Sequence, residues 1–204
     1  FEELSKAKIN VDLIIQATRE GNSNDITFTI SEKFLEKTIE QCNLIISQIG
    51  GKYSITQNMT KLSIQGAGIM GRPSISAEFF DTLSKANINV RLIATSEIKV
   101  SCVINLKDIA KAIRFVGGKF KLNTNQIFIN PISEKKDKPE VRGIALDKNQ
   151  VQVSFRNLPD KPGVAASICL GLAEANLIFD TIVQSERNSE LNTKDISFTM
   201  NKED

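Results

Sequence analysis

Phe1–Ile15 reads FEELSKAKINVDLII, and Phe80–Ala94 reads FDTLSKANINVRLIA. Ten of these fifteen aligned positions are identical, far more than two unrelated segments share. A third copy lies at Leu172–Gln184, LAEANLIFDTIVQ, and the segment after it repeats too, because Asp25–Ile30 (DITFTI) returns as Asp195–Met200 (DISFTM). The chain is therefore predicted to be a tandem array of one structural module.

The middle copy gives the order of elements within the module. Alternating polar and apolar residues indicate strands, and apolar residues at helical spacing indicate helices. The predicted elements are a strand at Lys61–Gln65, a helix opened by Arg72-Pro73, strands at Asn89–Thr95 and Lys99–Ile104, a helix around Ile109–Val116 and a closing strand at Gln126–Ile129. This order, βαββαβ, predicts an α+β fold of the ferredoxin-like type, with antiparallel sheets and helices on one face.

The repeats divide the chain into three modules of unequal completeness. Residues 1–58 form a first module without its opening strand, with a helix at Leu35–Ile49 and a strand at Lys52–Gln57. Residues 59–130 form a complete second module, and residues 141–204 the front part of a third. Residues 131–140 carry prolines and a run of charges, which predicts an exposed linker.

Composition excludes several classes of function. The chain has 204 residues, 41% of them hydrophobic and 25% charged, as in an ordinary globular protein. The formal net charge is only +2, so neither nucleic acid nor an anionic membrane is an expected partner. Histidine is absent, which removes His-dependent hydrolase chemistry and His metal sites.

The cysteines and the ends of the chain give expectations about context. Cys42, Cys102 and Cys169 are far apart and odd in number, which favours core packing in a reducing cytoplasm over a disulfide framework or a metal site. No apolar run approaches the roughly 20 residues of a membrane span. Because the sequence opens at Phe1 within a helical pattern, we expect a piece of a longer protein.

Four separate motifs resemble the tandem ACT modules of aspartate kinases, in the order and at the spacing of that family. They are NVDLIIQ with GNSNDITF (Asn10–Gln16, Gly21–Phe28), GAGIMGRP (Gly66–Pro73), TSEIKVS (Thr95–Ser101), and VRGIALD with LPDKPGVAA (Val141–Ala166). A third module after the second is similar to the extended, four-module aspartate kinases known in cyanobacteria. The resemblance covers nearly the whole chain but includes no kinase domain.

The resemblance implies a function and its partners. It implies a non-catalytic regulatory region that binds lysine, threonine or both for feedback inhibition of an aspartate kinase, the first enzyme of the pathway to lysine, threonine and methionine. No cofactor is expected in this region, whereas the kinase domain of the same chain would use ATP and Mg. A homodimer is also implied. The same fold as an amino-acid sensor of another enzyme remains an alternative.

The residues themselves suggest how an amino acid is held. Leu158–Ala165 joins a strand to a helix, and the N–H groups at a helix N-terminus suit a carboxylate. Asp160 is predicted to cap this helix, with Pro162 near its first turn and Gly163 allowing close backbone approach. Asp180, like Asp12 in the first module, is placed to accept the ammonium.

Gln16 and Gln184 follow these aspartates by four residues, so the strand period of two puts each pair on one face. In the second module Arg91 and Thr95 replace the aspartate and the glutamine, and Ser74 replaces the glycine after proline. That face is therefore not expected to bind alone. The resemblance instead places its Thr-Ser-Glu segment against an effector held by a neighbouring module. The predicted effector residues are Asp12, Gln16, Ser76, Thr95, Ser96, Glu97, Asp160, Pro162, Gly163, Val164, Ala165, Asp180 and Gln184.

Four alternative interpretations compete with these assignments. Three of them are structural: Asp160 is only a helix cap, Asp12 is only a solvated strand residue, and the Thr-Ser-Glu segment is only a turn. Gly66–Gly71 is also a literal GxGxxG between a strand and a helix, the pattern of a nucleotide-binding enzyme. A dinucleotide fold needs a parallel βαβ unit and an acidic residue about 20 positions on, where this chain has Arg91. The glycines are therefore predicted to serve a turn and close packing.

Overall fold

The computed structural model describes residues 1–18, 24–69, 71–96, 98–127, 146, 149–188 and 192–203. Its helices are α1 (Glu2–Lys6), α2 (Leu35–Ile49), α3 (Pro73–Lys85), α4 (Ile109–Lys119) and α5 (Val164–Glu174). Its strands are β1 (Val11–Thr18), β2 (Asn24–Ile30), β3 (Met59–Gln65), β4 (Leu92–Ser96), β5 (Lys99–Asn105), β6 (Gln150–Pro159), β7 (Phe179–Asn188) and β8 (Thr193–Asn201). The predicted linker 131–140 lies outside the described residues.

The second and third modules share one six-stranded sheet in the order β3-β5-β4-β7-β8-β6. Every neighbouring pair in it is antiparallel. Helices α3, α4 and α5 cover one face, where the main core contains Phe79, Leu83, Ile93, Cys102 and Ile182, each at most 1% exposed. The predicted α+β fold with antiparallel sheets and helices on one face is confirmed.

A local twofold relation connects the two modules of this sheet. Ala94 of β4 lies opposite Val183 of β7, and Ile93 lies opposite Gln184. In the sequence repeat, Ala94 and Val183 are the same position of their own modules, so the axis passes between them. Helices α3 and α5 are also equivalent and pack against each other. A residue that one module places at one end of this interface therefore has its equivalent, from the other module, at the opposite end of the interface.

The first module covers the other face of the sheet. Its strands β1 and β2 form a separate antiparallel hairpin. Ile15 of this hairpin packs with Leu92 and Val103, whose side chains point away from the helices. An ion pair between Asp12 and Lys61 adds a polar contact between the hairpin and β3.

One predicted strand is absent, and the described part of another forms no strand. Lys52–Gln57 lies within a described segment but forms neither helix nor strand, and its residues are exposed. The prediction was wrong because an alternating pattern forms a strand only where a neighbouring strand can pair with it. In the second module, Gln126 ends a short 3-10 turn, Thr124–Gln126, rather than starting a strand. The rest of that predicted strand, residues 128–129, lies outside the described residues.

The remaining predicted elements agree with the structure within a few residues. Pro73 occupies the first turn of α3, where its missing N–H costs nothing. Strand β4 begins at Leu92, three residues later than predicted, because the backbone before it leads in from the turn after α3. No helix in the described part of the chain has the length and apolarity that a membrane span requires.

Candidate functional site

The local twofold relation creates two clefts between the second and third modules, one at the N-terminus of each central helix. The α3 cleft encloses about 420 Å³ to its open mouth and is lined on its polar side by Arg72, Ser76, Thr95, Ser96 and Asp180. The α5 cleft encloses about 210 Å³ and is lined by Ser84, Asn89, Val90, Pro162, Gly163 and Lys194, among others. Both volumes include space that is open to solvent, and the α3 cleft is the roomier of the two.

The α3 cleft combines groups of opposite charge from both modules. Arg72 is the N-cap residue of α3 and makes no side-chain cap bond, because its guanidinium can only donate. Pro73 has no N–H and the Ile75 N–H donates to the Arg72 carbonyl, so the Ser74 N–H is the first-turn donor left for an acceptor from outside. Asp180 comes from β7 of the third module, is exposed, and accepts a hydrogen bond from Gln150 Nε2 at 2.7 Å. Ser76 of α3 is 4% exposed and lines the floor of the cleft. A carboxylate and a helix N-terminus therefore face one another across the α3 cleft.

Thr95 and Gln184 occupy equivalent positions and both bridge the two modules. Thr95 Oγ1 accepts a hydrogen bond from the Ile182 backbone N–H at 2.7 Å. Gln184 is fully buried, and its Nε2 donates to the carbonyl oxygens of Val90 (2.7 Å) and Arg91 (2.8 Å). These bonds fix the register of β4 against β7, and they leave the Thr95 hydroxyl proton free to point into the α3 cleft.

The α5 cleft begins at a glycine held close to the neighbouring module. Gly163 is the N-cap residue of α5 with φ +96°, a conformation that favours glycine. A Cβ at this position would lie 2.9 Å from Ser84 Oγ of α3. Gly163 therefore lies close to the neighbouring module, and Ser84 is the group that leaves no room for a side chain there. Its predicted role beside a ligand carboxylate stays a prediction. Val164 begins α5 and packs against the main core, while Ala165 is buried.

Asp160 does not cap α5, contrary to the prediction. Its Oδ1 accepts a hydrogen bond from Asn89 Nδ2 at 3.0 Å and lies 3.3 Å from Lys194 Nζ. Asp160 stands three residues before Gly163, and its backbone N–H donates to the Asn192 carbonyl. This contact holds Asp160 beside the start of β8, where Lys194 and the neighbouring module supply stronger partners than the helix N–H groups.

The structure divides the predicted effector residues between three places. Ser76, Thr95, Ser96 and Asp180 line the α3 cleft, whereas Pro162, Gly163 and Ala165 line the α5 cleft. Four residues of β7 separate Asp180 from Gln184 by roughly 13 Å, and the register of β7 against β8 shifts between Phe179 and Thr181. Asp180 therefore reaches the cleft of the neighbouring module rather than the α5 N-terminus of its own.

The predicted residues of the first module lie elsewhere. Asp12 and Gln16 are on the exposed side of β1, and Asp12 pairs with Lys61. Glu97 lies outside the described residues. The structure thus brings only part of the predicted set together, in clefts that each draw residues from two modules.

Sequence reasoning missed three residues that matter in these clefts. The sequence pattern marks Arg72 only as the start of a helix and Asn89 only as the start of a strand, and it gives Lys194 no role. Lys194 carried a signal, because it precedes the repeated DISFTM segment at a position where the first module has Asn24. A long cationic side chain at a position where another copy has a short, neutral side chain indicates a local difference between the modules.

The cysteines are core residues rather than reactive groups. Burial raises the pKa of the Cys169 thiol to about 12 and raises the pKa of Cys102 further. Cys42 on α2 is half-buried, and burial raises its pKa as well. Among the described residues, no group of three His, Cys, Asp or Glu side chains comes close enough to hold a metal ion.

The glycine-rich motif forms a turn, not a nucleotide cradle. Ala67–Ile69 is a 3-10 turn, and Gly71 has φ +66°, which favours glycine there. A Cβ on Gly66 or Gly68 would meet no atom within 4 Å, so the predicted close packing is wrong while the predicted turn is confirmed. The preceding strand β3 pairs antiparallel with β5, whereas a dinucleotide fold requires parallel strands.

Comparison with known proteins places this arrangement in one class. A family model described as ACT domain matches residues 62–120. The solved aspartate kinase of Synechocystis is 36% identical and superimposes with a TM-score of 0.86, covering 100% of this chain and 36% of its own. The regulatory subunit of aspartate kinase from Thermus flavus is 30% identical with a TM-score of 0.54, over 59% of this chain and 80% of its own.

A curated relative agrees with these structures. The aspartate kinase of Stutzerimonas stutzeri is 34% identical over 121 residues, which are 59% of this chain and 29% of the relative. The modules are therefore ACT modules. The chain belongs to the aspartate kinase family and corresponds to its regulatory region. It spans about a third of the length of the Synechocystis enzyme and of the curated relative.

Proposed function

We propose that this region senses an end-product amino acid, lysine or threonine, in the α3 cleft and transmits its binding to a kinase domain of the same protein as feedback inhibition. That kinase domain would phosphorylate L-aspartate with ATP and Mg. The observation that carries the proposal is the pairing, in one cleft, of a carboxylate from one module with a helix N-terminus from the other.

The charges of the α3 cleft complement a free amino acid. The N-terminus of α3 carries about half a positive charge and, with Arg72, suits an α-carboxylate. Asp180 suits the α-ammonium, because charge-assisted bonds to a carboxylate are among the stronger hydrogen bonds. The hydroxyls of Ser76, Thr95 and Ser96 add neutral donors and acceptors that can distinguish side chains.

The position of the cleft explains how binding could regulate an enzyme. Asp180 belongs to the third module and Ser76 to the second, so a ligand that contacts both favours one packing of the two modules. A ligand shifts such an equilibrium by its difference in affinity for the two packings. A kinase domain that is less active with the bound packing would then be inhibited.

Assembly and location complete the proposal. The six-stranded sheet ends at β3 and β6, and exposed strand edges can pair with a second copy of the chain. We therefore propose a homodimer. The unpaired cysteines suit a reducing cytoplasm, where feedback inhibition by a metabolite would operate.

The test is thermal unfolding of this chain with L-lysine, L-threonine, both together, and L-aspartate as the negative ligand. A ligand at 100 times its dissociation constant adds about 2.7 kcal/mol of stability, which raises Tm by several degrees. Asp180→Asn should weaken binding at least tenfold, whereas Asp12→Asn, the same repeat position outside the cleft, should leave the affinity nearly unchanged. Equal effects of the two substitutions, or no shift with either effector, would reject the α3 cleft as the sensor site.

A further inference from the structure

One position of the repeat brings all three modules together. Ile15, Ala94 and Val183 are aligned in the three copies. Ala94 and Val183 lie opposite each other in the β4–β7 ladder, which forms the seam between the second and third modules. Ile15 is 2% exposed and packs on the face of the sheet opposite the helices, in a cluster to which Val183 also belongs. The first module therefore contacts the sheet at the seam.

The seam has a short ladder. Among the described residues, β4 pairs with β7 only at Ile93–Gln184 and Ala94–Val183, whereas β4 pairs with β5 at five positions. Each ladder hydrogen bond adds little net stability, so a short ladder depends on side-chain contacts at the two faces of the sheet. Helices α3 and α5 pack together on one face, and the first module lies on the other. The first module is therefore placed to hold the seam closed.

The surface beneath Ile15 is built from both modules of the sheet. Leu92 and Val103 of the second module are buried in the cluster, and Val183 of the third module packs against it. Separation of β7 from β4 would carry Val183 away from Leu92 and expose part of Ile15 to water. Exposed apolar surface costs free energy in proportion to its area. Docking of the first module is therefore tied to the closed seam.

We propose that the β1–β2 hairpin clamps the seam from the face opposite the helices, so that the first module docks fully only when the second and third modules are paired. Linkage makes the relation reciprocal, because a docked hairpin favours the closed seam as much as a closed seam favours docking. The first module is thus the element that responds to a change in the packing of the other two. Its response to an amino-acid effector rests on the proposed function, whereas the clamp itself does not.

Hydrogen exchange at one amide of the seam tests the clamp. The Ile182 N–H donates across the seam to Thr95 Oγ1, and neither residue belongs to the cluster around Ile15. Ile15→Ala should accelerate exchange of this amide by about fivefold or more, measured by NMR, because the open seam becomes more populated. Ile14→Ala is the matched control, since Ile14 is the adjacent isoleucine of β1 and is 52% exposed. It should leave the rate within about twofold of that in the unchanged chain.

An internal reference separates opening of the seam from a general loss of stability. Cys102 lies in β5, which pairs with β3 and β4 inside the second module, so its amide should exchange at nearly the same rate in both variants. Acceleration as large at Cys102 as at Ile182, equal acceleration by the two alanine variants, or none at Ile182 would overturn the clamp. Ile15→Val, a smaller truncation, gives the same comparison if Ile15→Ala does not fold.

The reverse experiment loosens the seam and observes the hairpin. Thr95→Val leaves the Ile182 N–H without its acceptor, whereas Thr95→Ser retains the hydroxyl. The protected amides of the β1–β2 ladder should exchange about threefold faster or more in the valine variant and nearly unchanged in the serine variant. A hairpin with the same rate in both variants would show that the first module docks on the second module alone, and would overturn the proposal.

Effectors distinguish the clamp from the proposed function. L-lysine or L-threonine, at a concentration that raises Tm, should change exchange of the β1–β2 amides as well as that of Ile182. Binding that leaves the hairpin unchanged would overturn the clamp as the element that responds to the effector. If no amino acid binds at all while Ile15→Ala still accelerates exchange at Ile182, the proposed function fails and the clamp stands.

Discussion

Ala94 and Val183 lie directly opposite each other in the β4–β7 ladder, and each is the same position of its own repeat. This single pairing places the N-termini of α3 and α5 at opposite ends of one interface. It also explains why each cleft draws its lining from two modules. The chemistry of an individual module is therefore incomplete until the two modules share a sheet.

Gly163 is expected to tolerate no side chain. Gly163→Ala would force a Cβ to within 2.9 Å of Ser84 Oγ at φ +96°, and should lower the free energy of unfolding by about 1–3 kcal/mol. Gly171→Ala in the same helix is the control, since its Cβ meets no atom within 4 Å, and it should raise stability by up to about 1 kcal/mol. Urea unfolding measures both, and equal stabilities of the two variants would contradict the argument.

The Thr95 hydroxyl is expected to stabilise the module interface by satisfying the Ile182 N–H. Thr95→Val keeps the shape of the side chain but leaves this part-buried donor without its acceptor, which should cost about 1–3 kcal/mol. Thr95→Ser retains the hydroxyl and should lose distinctly less stability. Chemical denaturation of the two variants gives the comparison, and a valine variant as stable as the serine variant would show that the bond contributes nothing.

The three thiols are expected to react in an order set by burial. Cys42 is half-buried on α2, whereas Cys102 and Cys169 are buried in the main core. Under native conditions a thiol-specific chromogenic reagent should modify Cys42 first, and the other two should react only as the fold opens. Cys42→Ser should remove the fast phase of the reaction. A fast phase that survives this substitution would contradict the assignment.

Alkaline pH is expected to weaken the fold partly through Cys169. Its thiol stays protonated in the folded chain up to a pKa of about 12, but ionises from its ordinary 9.0 once unfolded. The unfolded chain then binds fewer protons, so stability is fully present below about pH 9 and falls by about 1 kcal/mol per unit above it. Urea unfolding between neutral pH and about pH 10.5 should show a shallower decline for Cys169→Ala. Identical slopes would indicate that this thiol does not contribute.

Most of the fold could be predicted from local patterns in the sequence. The repeat from Phe1 to Ile15 and its copies predicted the module order, because residues that form a core at fixed spacing recur wherever the same unit folds. Helices α2 and α3 were predictable from their apolar spacing and from Pro73 at the first turn. Lys52–Gln57 was not, since an alternating segment becomes a strand only beside a partner whose presence depends on the tertiary fold.

The tertiary structure alone decided how the candidate site is built. The sequence by itself determined that Asp180 and Gln184 lie on one strand, roughly 13 Å apart, since the rise per residue follows from backbone geometry. It could not determine that Asp180 lines the cleft at the helix of the neighbouring module, or that Lys194 pairs with Asp160. Those outcomes depend on the pairing of β4 with β7, which brings together residues almost 100 positions apart. Chain connectivity fixes local periodicity, whereas contacts between modules arise only when their separate strands join one sheet.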